Sequence, residues 1–213
     1  MKRIIAFLLV AVLAALTLSA CSYLPTDYEL SLGIVTTDAD GKTTETVCAL
    51  ITDADGKIVL CRIDATDFKP ITENSTAPQS KKTLGFDYGM VAWGGATYEW
   101  HEQAAYYERV LVGKTYDEAM AIVTGSAELE SGCTIDVTDF AKAVKAAFDN
   151  ESKKQLSHFG EVTLGLTTGA AIVDGQYVSS VSAIALYRGY ALADIVAINK
   201  VVVNTAPATP ISE

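Results

Sequence analysis

Residues 27–64 read DYELSLGIVTTDADGKTTETVCALITDADGKIVLCRID, and this stretch decides the fold. Three runs rich in apolar and β-branched residues, 28–37, 43–52 and 57–64, are separated by two copies of Thr-Asp-Ala-Asp-Gly-Lys. An Asp-Gly pair between such runs is a strong signal for a hairpin turn. The stretch therefore predicts three antiparallel strands in one sheet.

The second hairpin determines which side chains share a face of that sheet. A three-residue loop with Gly56 in the left-handed conformation places Ala49 opposite Cys61. Apolar side chains of both strands then share one face, and Cys48 points to the other face. This register disfavours a bond between Cys48 and Cys61.

The middle of the chain has the spacing and capping residues of helices. Thr97 is predicted to cap a first helix, and Thr115 with Glu118 forms a capping box for a second, shorter one. A strand over 133–137 then leads into a third helix over 139–148. The buried faces of the first and third helices are predicted from Trp100, Ala104, Tyr107, Leu111, Phe140, Val144 and Ala147 or Phe148.

The last third of the chain returns to a strand pattern and carries an internal similarity. Residues 30–37 (LSLGIVTT) match residues 162–169 (VTLGLTTG), and the hairpins that follow turn at Gly56 and at Gly189, with nearly the same offset. Neither half would bury a sheet face alone, so the similarity predicts a repeat within one fold.

Together these patterns predict an α+β fold with one domain over residues 28–204. Two three-stranded antiparallel units, over 28–64 and 160–196, form a pseudo-repeat that flanks a helical middle, with sheet packed on helices. The tail over 205–213 contains two prolines and is predicted to be disordered.

The first 20 residues have the order of an export signal. Lys2 and Arg3 precede an apolar stretch over 4–16, and small residues follow. The apolar stretch is shorter than the roughly 20 residues that a membrane-spanning helix needs. The segment is therefore predicted to be a removable signal.

The residues at the end of this signal, Leu18-Ser19-Ala20-Cys21, resemble the lipobox of bacterial lipoproteins. The resemblance implies cleavage before Cys21 and lipid on its thiol. Residues 21–27 would then form a short tether, and the lipid anchor would hold the protein on the extracytoplasmic face of the cell membrane.

Three cysteines, Cys48, Cys61 and Cys133, remain in such a mature chain. An odd number outside the cytoplasm permits at most one intramolecular disulfide. With Cys48 turned away, Cys61 to Cys133 is the pairing that the sequence favours. Three reduced, buried thiols are the alternative.

The composition excludes some classes of function. Removing residues 1–20, which contain two basic and no acidic residues, changes the net charge from −10 to −12, and this charge argues against nucleic acid as a partner. His101 has Ala105, not histidine, four residues later, so the sequence predicts no metal site. Gly-x-Ser-x-Gly is absent too, and no catalytic residue is nominated.

Residues 85–101, GFDYGMVAWGGATYEWH, have the most unusual composition in the chain. Glycines let a backbone approach a ligand, aromatic faces bind flat or apolar groups, and a helix N-terminus favours anions. The segment thus predicts a shallow ligand site; the alternative interpretation is a turn whose aromatic rings fill the core between sheet and helix. The candidate ligand-binding residues are Asp87, Tyr88, Trp93, Trp100 and His101.

Five further segments resemble uncharacterised extracytoplasmic lipoproteins of Clostridia-like bacteria: ADGKI (54–58), KKTLGFDYGM (81–90), EWHEQA (99–104), VGKT (112–115) and GCTI (132–135). Some members of that group are similar to domains that bind flavin mononucleotide (FMN). The covalent attachment pattern there is Asp-x-x-Ser/Thr-Gly-Ala-Thr/Ser. Residues 165–171, GLTTGAA, lack both the acid and the acceptor hydroxyl, which argues against covalent flavin.

These observations favour a lipid-anchored surface protein that binds a partner protein or a small ligand without catalysis and without a cofactor. A carrier of non-covalently bound FMN is the main alternative. An enzyme that uses a pair of carboxylates as acid and base remains open, because the chain has 26 acidic side chains and spacing nominates no pair.

Overall fold

The computed structural model describes residues 26–158, 161–187 and 192–202. The signal segment, Cys21, the turn at Gly189 and the tail over 205–213 lie outside those residues, so the predictions made for them stay predictions.

The first sheet contains the three strands predicted from residues 27–64. β1 (Thr26–Ala39), β2 (Lys42–Thr52) and β3 (Ile58–Phe68) pair antiparallel in chain order. A short strand that the sequence did not reveal, β4 (Lys154–His158), pairs with the free edge of β1 and gives the order β3-β2-β1-β4. Among the described side chains of β4, only that of Leu156 is apolar and buried. A single apolar residue gives no alternation, so the sequence of β4 does not read as a strand.

Four helices and one 3₁₀ helix lie between β3 and β4. They are α1 (Lys81–Leu84), the 3₁₀ helix Gly85–Tyr88, α2 (Trp100–Leu111), α3 (Tyr116–Met120) and α4 (Thr138–Phe148). The capping box of Thr115 and Glu118 is confirmed at the start of α3.

A second sheet is formed by β5 (Val162–Val173), β6 (Gln176–Tyr187) and β7 (Leu192–Val202), antiparallel in chain order. It packs on one face of the first sheet, and α2 and α4 pack on the other face. The mixed α+β class is therefore confirmed. Because β2 lies between both layers, its side chains are buried on both faces.

The second hairpin has the predicted contact at its turn. Asp53 N donates to Lys57 O (2.9 Å), Thr52 pairs with Ile58, and Gly56 has a φ of 73°. The Asp53 carboxylate also accepts from the backbone N–H of Asp55 and Lys57, which closes the loop locally.

Beyond Thr52 the register differs from the prediction. A β-bulge shifts the pairing by one residue, so that Leu50 rather than Ala49 lies opposite Cys61. The predicted register is therefore wrong over the rest of the hairpin. Because a shift of one residue exchanges the two faces of a strand, Cys48 and Cys61 lie on the same face, under the helices.

The predicted strand over 133–137 is also wrong: these residues form a loop. The side-chain oxygen of Gln103, which is wholly buried on α2, accepts from the backbone N–H of Thr134 (2.8 Å) and Ile135 (3.2 Å). A helix side chain thus satisfies the donors that a neighbouring strand would have satisfied.

The first sheet and α4 come unusually close at Gly33 in β1. A Cβ atom at this position would lie 2.2 Å from Ala143 O and 2.3 Å from Ala147 N. Only glycine fits there. Asn150, just after α4, reaches the same strand and donates to Leu32 O (2.6 Å).

Candidate ligand-binding cavity

The loop before α2 is organised around the carboxylate of Glu99. Glu99, not the predicted Thr97, caps α2, and it forms a capping box with Glu102. Its carboxylate accepts from Met90 N (2.9 Å) and Val91 N (3.0 Å), and Glu99 is only 2% exposed. The helix N-terminus that the sequence suggested for a ligand anion is therefore occupied by the protein's own carboxylate.

The five candidate ligand-binding residues do not form one site. Trp100 is buried and packs edge-to-face on Phe140 in the core (5.4 Å between ring centroids), as the alternative interpretation proposed. Trp93 is 81% exposed. His101 contacts the ring of Phe86 (5.1 Å) and lines a separate groove beside α2.

The remaining two candidates, Asp87 and Tyr88, line a cavity of about 530 Å³. It lies where β3 ends, between the loop over 69–80, the 3₁₀ helix and the start of β6. Its other lining residues are Asp67, Lys69, Thr72, Asn74, Ser75, Thr76, Pro78, Gln79, Lys81, Leu84 and Tyr177.

An ion-pair network forms one side of this cavity. The Asp67 carboxylate contacts Lys42 Nζ (2.6 Å) and Lys81 Nζ (3.2 Å) and accepts from Thr44 Oγ1 (2.8 Å). Burial acts to raise the pKa of Asp67, but the Lys42 hydrogen bond, the Lys81 charge and the Thr44 hydroxyl outweigh it, and the pKa is lowered. Two lysines and one aspartate give this network a net charge of +1.

Lys81 is held between this network and two aromatic rings. Its Nζ lies 5.2 Å from the ring centroid of Tyr88 and 5.6 Å from that of Trp100. Both distances are within the range of cation–π attraction. Since Lys81 is only 8% exposed, the ammonium group is a fixed charge in the cavity wall and it also orients the Tyr88 ring.

The cavity therefore combines fixed charge, exposed polar groups and aromatic surface. Lys69 and Asp87 are exposed at the cavity, and the amides of Asn74 and Gln79 offer both donors and acceptors. The half-buried ring of Tyr88 supplies apolar surface, and the buried Tyr177, packed on Phe68, forms part of the wall behind it. This combination suits a small polar ligand with one flat or apolar face.

Most of the residues that line the cavity could not be predicted from the sequence. Asp67, Lys81 and Tyr177 come from three segments that meet only in the folded chain. No sequence pattern marked Lys81 as a residue of a ligand site. One local signal was present: Ser80 N-caps α1 through a bond from Thr83 N (3.2 Å), and the buried Lys81 follows it directly.

Other depressions of the described residues differ in character from this cavity. The groove beside α2 measures about 480 Å³ and contains Tyr98, His101, Tyr106 and Arg109. A smaller, mainly apolar one of about 260 Å³ lies between α3 and α4. Neither combines fixed buried charge with polar and aromatic side chains.

Within residues 26–158, 161–187 and 192–202, no group of three or more His, Cys, Asp or Glu side chains is arranged to hold a metal ion. The same part of the chain contains no helix long and apolar enough to cross a membrane.

No protein-family model, no curated protein and no solved structure matches the chain. The resemblances to the lipobox and to the extracytoplasmic lipoproteins therefore stay predictions.

Proposed function

We propose that this chain is a lipid-anchored extracytoplasmic binding protein, with a small polar ligand in the cavity between Asp67, Lys81 and Tyr88. The observation that carries this proposal is the buried Lys81 ammonium, held by Asp67 and two aromatic rings beside open polar surface. Lys69 and Lys81 are the cationic groups of the lining, and they can pair with an anionic group of the ligand.

The position of the cavity fits an anchored protein. Four residues separate Cys21 from Thr26, so the five Cα-to-Cα steps between them keep the start of β1 within about 18 Å of Cys21. β1 contains 14 residues and extends about 40 Å away from that point. Lys42, Asp67 and the cavity lie at its far end, so the ligand site would face away from the membrane.

FMN, bound without a covalent link, is a second candidate ligand. The cavity offers the half-buried ring of Tyr88 for a flat isoalloxazine ring and two lysines, Lys69 and Lys81, for a phosphate. This candidate turns the proposed binding protein into a redox carrier, and it predicts a yellow protein.

Absorbance and native mass of the protein purified from its own host test both candidates. Flavin bands with the matching excess mass would establish FMN. A colourless protein with another bound mass would identify a different ligand. A protein of bare mass that also binds neither FMN nor riboflavin in titrations would count against both candidates.

Variants then locate the ligand. Replacing Tyr88 by Leu or Lys69 by Gln should weaken binding about tenfold, which corresponds to about 1.4 kcal/mol. Tyr98→Leu and Arg109→Gln, in the groove beside α2, are the matched controls and should leave affinity unchanged. Equal losses in both sets would move the ligand out of this cavity.

The anchor has its own test. Cys21→Ala should shift the protein from the membrane fraction to the soluble fraction and remove the mass of the lipid. Unchanged partitioning and unchanged mature mass would exclude lipidation while leaving the cavity proposal untouched.

We also propose that β1–β3 and β5–β7 are two copies of one structural unit. Both are antiparallel meanders of three strands, and each first strand has a glycine, Gly33 or Gly165, at the matching position of the similarity. An experimental structure in which residues 30–37 and 162–169 superpose with their sheets would support the repeat, and different strand twists or registers would count against it.

A further inference from the structure

Two thiols face each other in the core between the first sheet and the helices. Cys48 Sγ lies 3.9 Å from Cys61 Sγ. Cys48 is wholly buried and Cys61 is 1% exposed, and all three described cysteines are free thiols. The sequence favoured a bond between Cys61 and Cys133, whereas the thiol in contact with Cys61 is that of Cys48.

This contact results from the β-bulge. With the bulge, Cys48 lies opposite Ile63 and Cys61 lies opposite Leu50, so the two cysteines are diagonal neighbours on one face. Diagonal side chains lie further apart than directly opposite ones, but a bulge increases the local twist, and here the two sulfur atoms converge.

We propose that Cys48 and Cys61 form a disulfide bond when the chain folds in the presence of a disulfide oxidant, and that Cys133 stays a thiol. The sulfur atoms must approach from 3.9 Å to about 2.05 Å. Both side chains already point into the same part of the core, so rotation of the side chains and a small strand adjustment can close this gap. The proposal does not depend on the ligand cavity.

The reaction is a thiol–disulfide exchange. The thiolate of one cysteine attacks the oxidant disulfide and forms a mixed disulfide, which releases the first thiolate. The second cysteine thiolate then attacks the protein sulfur of that mixed disulfide, forms the Cys48–Cys61 bond and releases the second thiolate. The two cysteine protons end on the two released thiolates, so the oxidant is reduced to two thiols.

The bond must form before the core closes. Burial raises the pKa of the Cys48 thiol well above its ordinary value, so the folded protein holds little of the reactive thiolate. α2 and α4 also cover this face of the sheet. Oxidation is therefore expected during folding and is expected to be much slower in the folded, reduced protein.

The test is refolding of the unfolded, reduced mature chain in a buffer of oxidised and reduced glutathione. Lys57 lies between the two cysteines, so trypsin separates them into two peptides that only a disulfide holds together. We expect these two peptides to be linked, an intact mass lower by two hydrogen atoms, and one alkylatable thiol at Cys133 after unfolding.

Variants distinguish this bond from the other pairings. Cys133→Ser should leave the linked peptides unchanged. Cys48→Ala should abolish the link and leave Cys61 and Cys133 alkylatable. A bond that contains Cys133, or three alkylatable thiols after refolding with oxidant, would overturn the proposal. Because the readout is covalent, it does not require that every variant keep its full stability.

Discussion

At the scale of single residues, Glu45 is a carboxylate buried between the two sheets. It is 2% exposed and accepts from Ser179 Oγ (3.1 Å). Burial raises its pKa, although the Ser179 hydrogen bond and Lys200 act in the opposite direction. A charged form at this position therefore destabilises the folded protein.

Glu45→Gln is expected to increase the free energy of unfolding at pH 7 by on the order of 1 kcal/mol. The amide keeps an acceptor for Ser179 and removes the buried charge. The folded protein binds the Glu45 proton more tightly than the unfolded chain does. The gain should therefore shrink as the pH falls through the folded-state pKa and vanish below the unfolded value of about 4.3.

Urea denaturation at several pH values measures this effect. Glu128→Gln, an exposed position, is the matched control and should change stability little at any pH. If the Glu45→Gln protein were less stable than the wild type at pH 7, the charged Glu45 side chain would stabilise the fold, which would contradict this prediction.

Glu99 is the residue on which the loop before α2 depends. Glu99→Ala leaves the backbone N–H groups of Met90 and Val91 without their acceptor and also removes the helix cap. We expect a loss of about 2–4 kcal/mol, from one cap and two part-buried hydrogen bonds to a charged group. Amide exchange at Met90 and Val91 should accelerate, whereas exchange in β2 should follow only the global loss.

The control for this variant is Glu130→Ala, at an exposed carboxylate that caps no helix. Equal losses for the two variants, or unchanged exchange at Met90 and Val91 in Glu99→Ala, would contradict the role given to the Glu99 carboxylate.

At the scale of elements, the packing of α4 on β1 depends on Gly33. Gly33→Ala would force a Cβ atom into the backbone of α4, and neither element can move without disturbing the core. Overpacking of this kind commonly costs about 1–3 kcal/mol; we expect the upper end or more, because the clash is with backbone atoms. Thermal and urea denaturation measure it.

Gly165, the matching glycine of the similarity, provides the control. A Cβ atom there would be 3.8 Å from Ile184 O, an ordinary contact. Gly165→Ala should therefore change stability by less than about 1 kcal/mol. If both variants lost the same stability, the close approach of α4 would not explain the effect at Gly33, because Gly165 has no such contact.

The β-bulge in the second hairpin could not be predicted from the sequence. The turn residues fix the pairing next to the turn, and the predicted pairing is observed as far as Thr52. Beyond it, α2 and the second sheet pack on opposite faces, and apolar side chains are available for either face. Packing therefore selects the register, and the bulge accommodates it.

At the scale of the whole molecule, the proposed anchor and the cavity lie at opposite ends of the first sheet. The loop over 53–57 is at the end where β1 begins, and Thr76 lines the cavity at the other end. In the lipidated protein on vesicles, a spin label at Asp55→Cys should be relaxed strongly by a paramagnetic headgroup reagent. A label at Thr76→Cys should be relaxed weakly.

Both positions are exposed, and the three native thiols within the described chain are buried, so labelling is selective. Equal relaxation at both sites would show that the domain lies along the membrane. Stronger relaxation at residue 76 would show that the cavity faces the bilayer, which would contradict the orientation proposed for the ligand site.

The candidate site was only partly predictable. Asp87 and Tyr88 line the cavity, whereas Trp93, Trp100 and His101 lie elsewhere. Composition identified an unusual segment but not the direction of its side chains. Successive residues on a helix point about 100° apart, so Trp100 enters the core and His101 faces the groove beside α2.

The sequence by itself determined the elements whose signals are local. Asp-Gly turns define the first hairpins, alternation and β-branched residues define most strands, and the box of Thr115 and Glu118 starts α3. The tertiary structure alone decided which face of each strand is buried, the neighbour of Cys61, the position of β4 and the cavity. These depend on contacts between residues far apart in the chain, whose free energies no local pattern encodes.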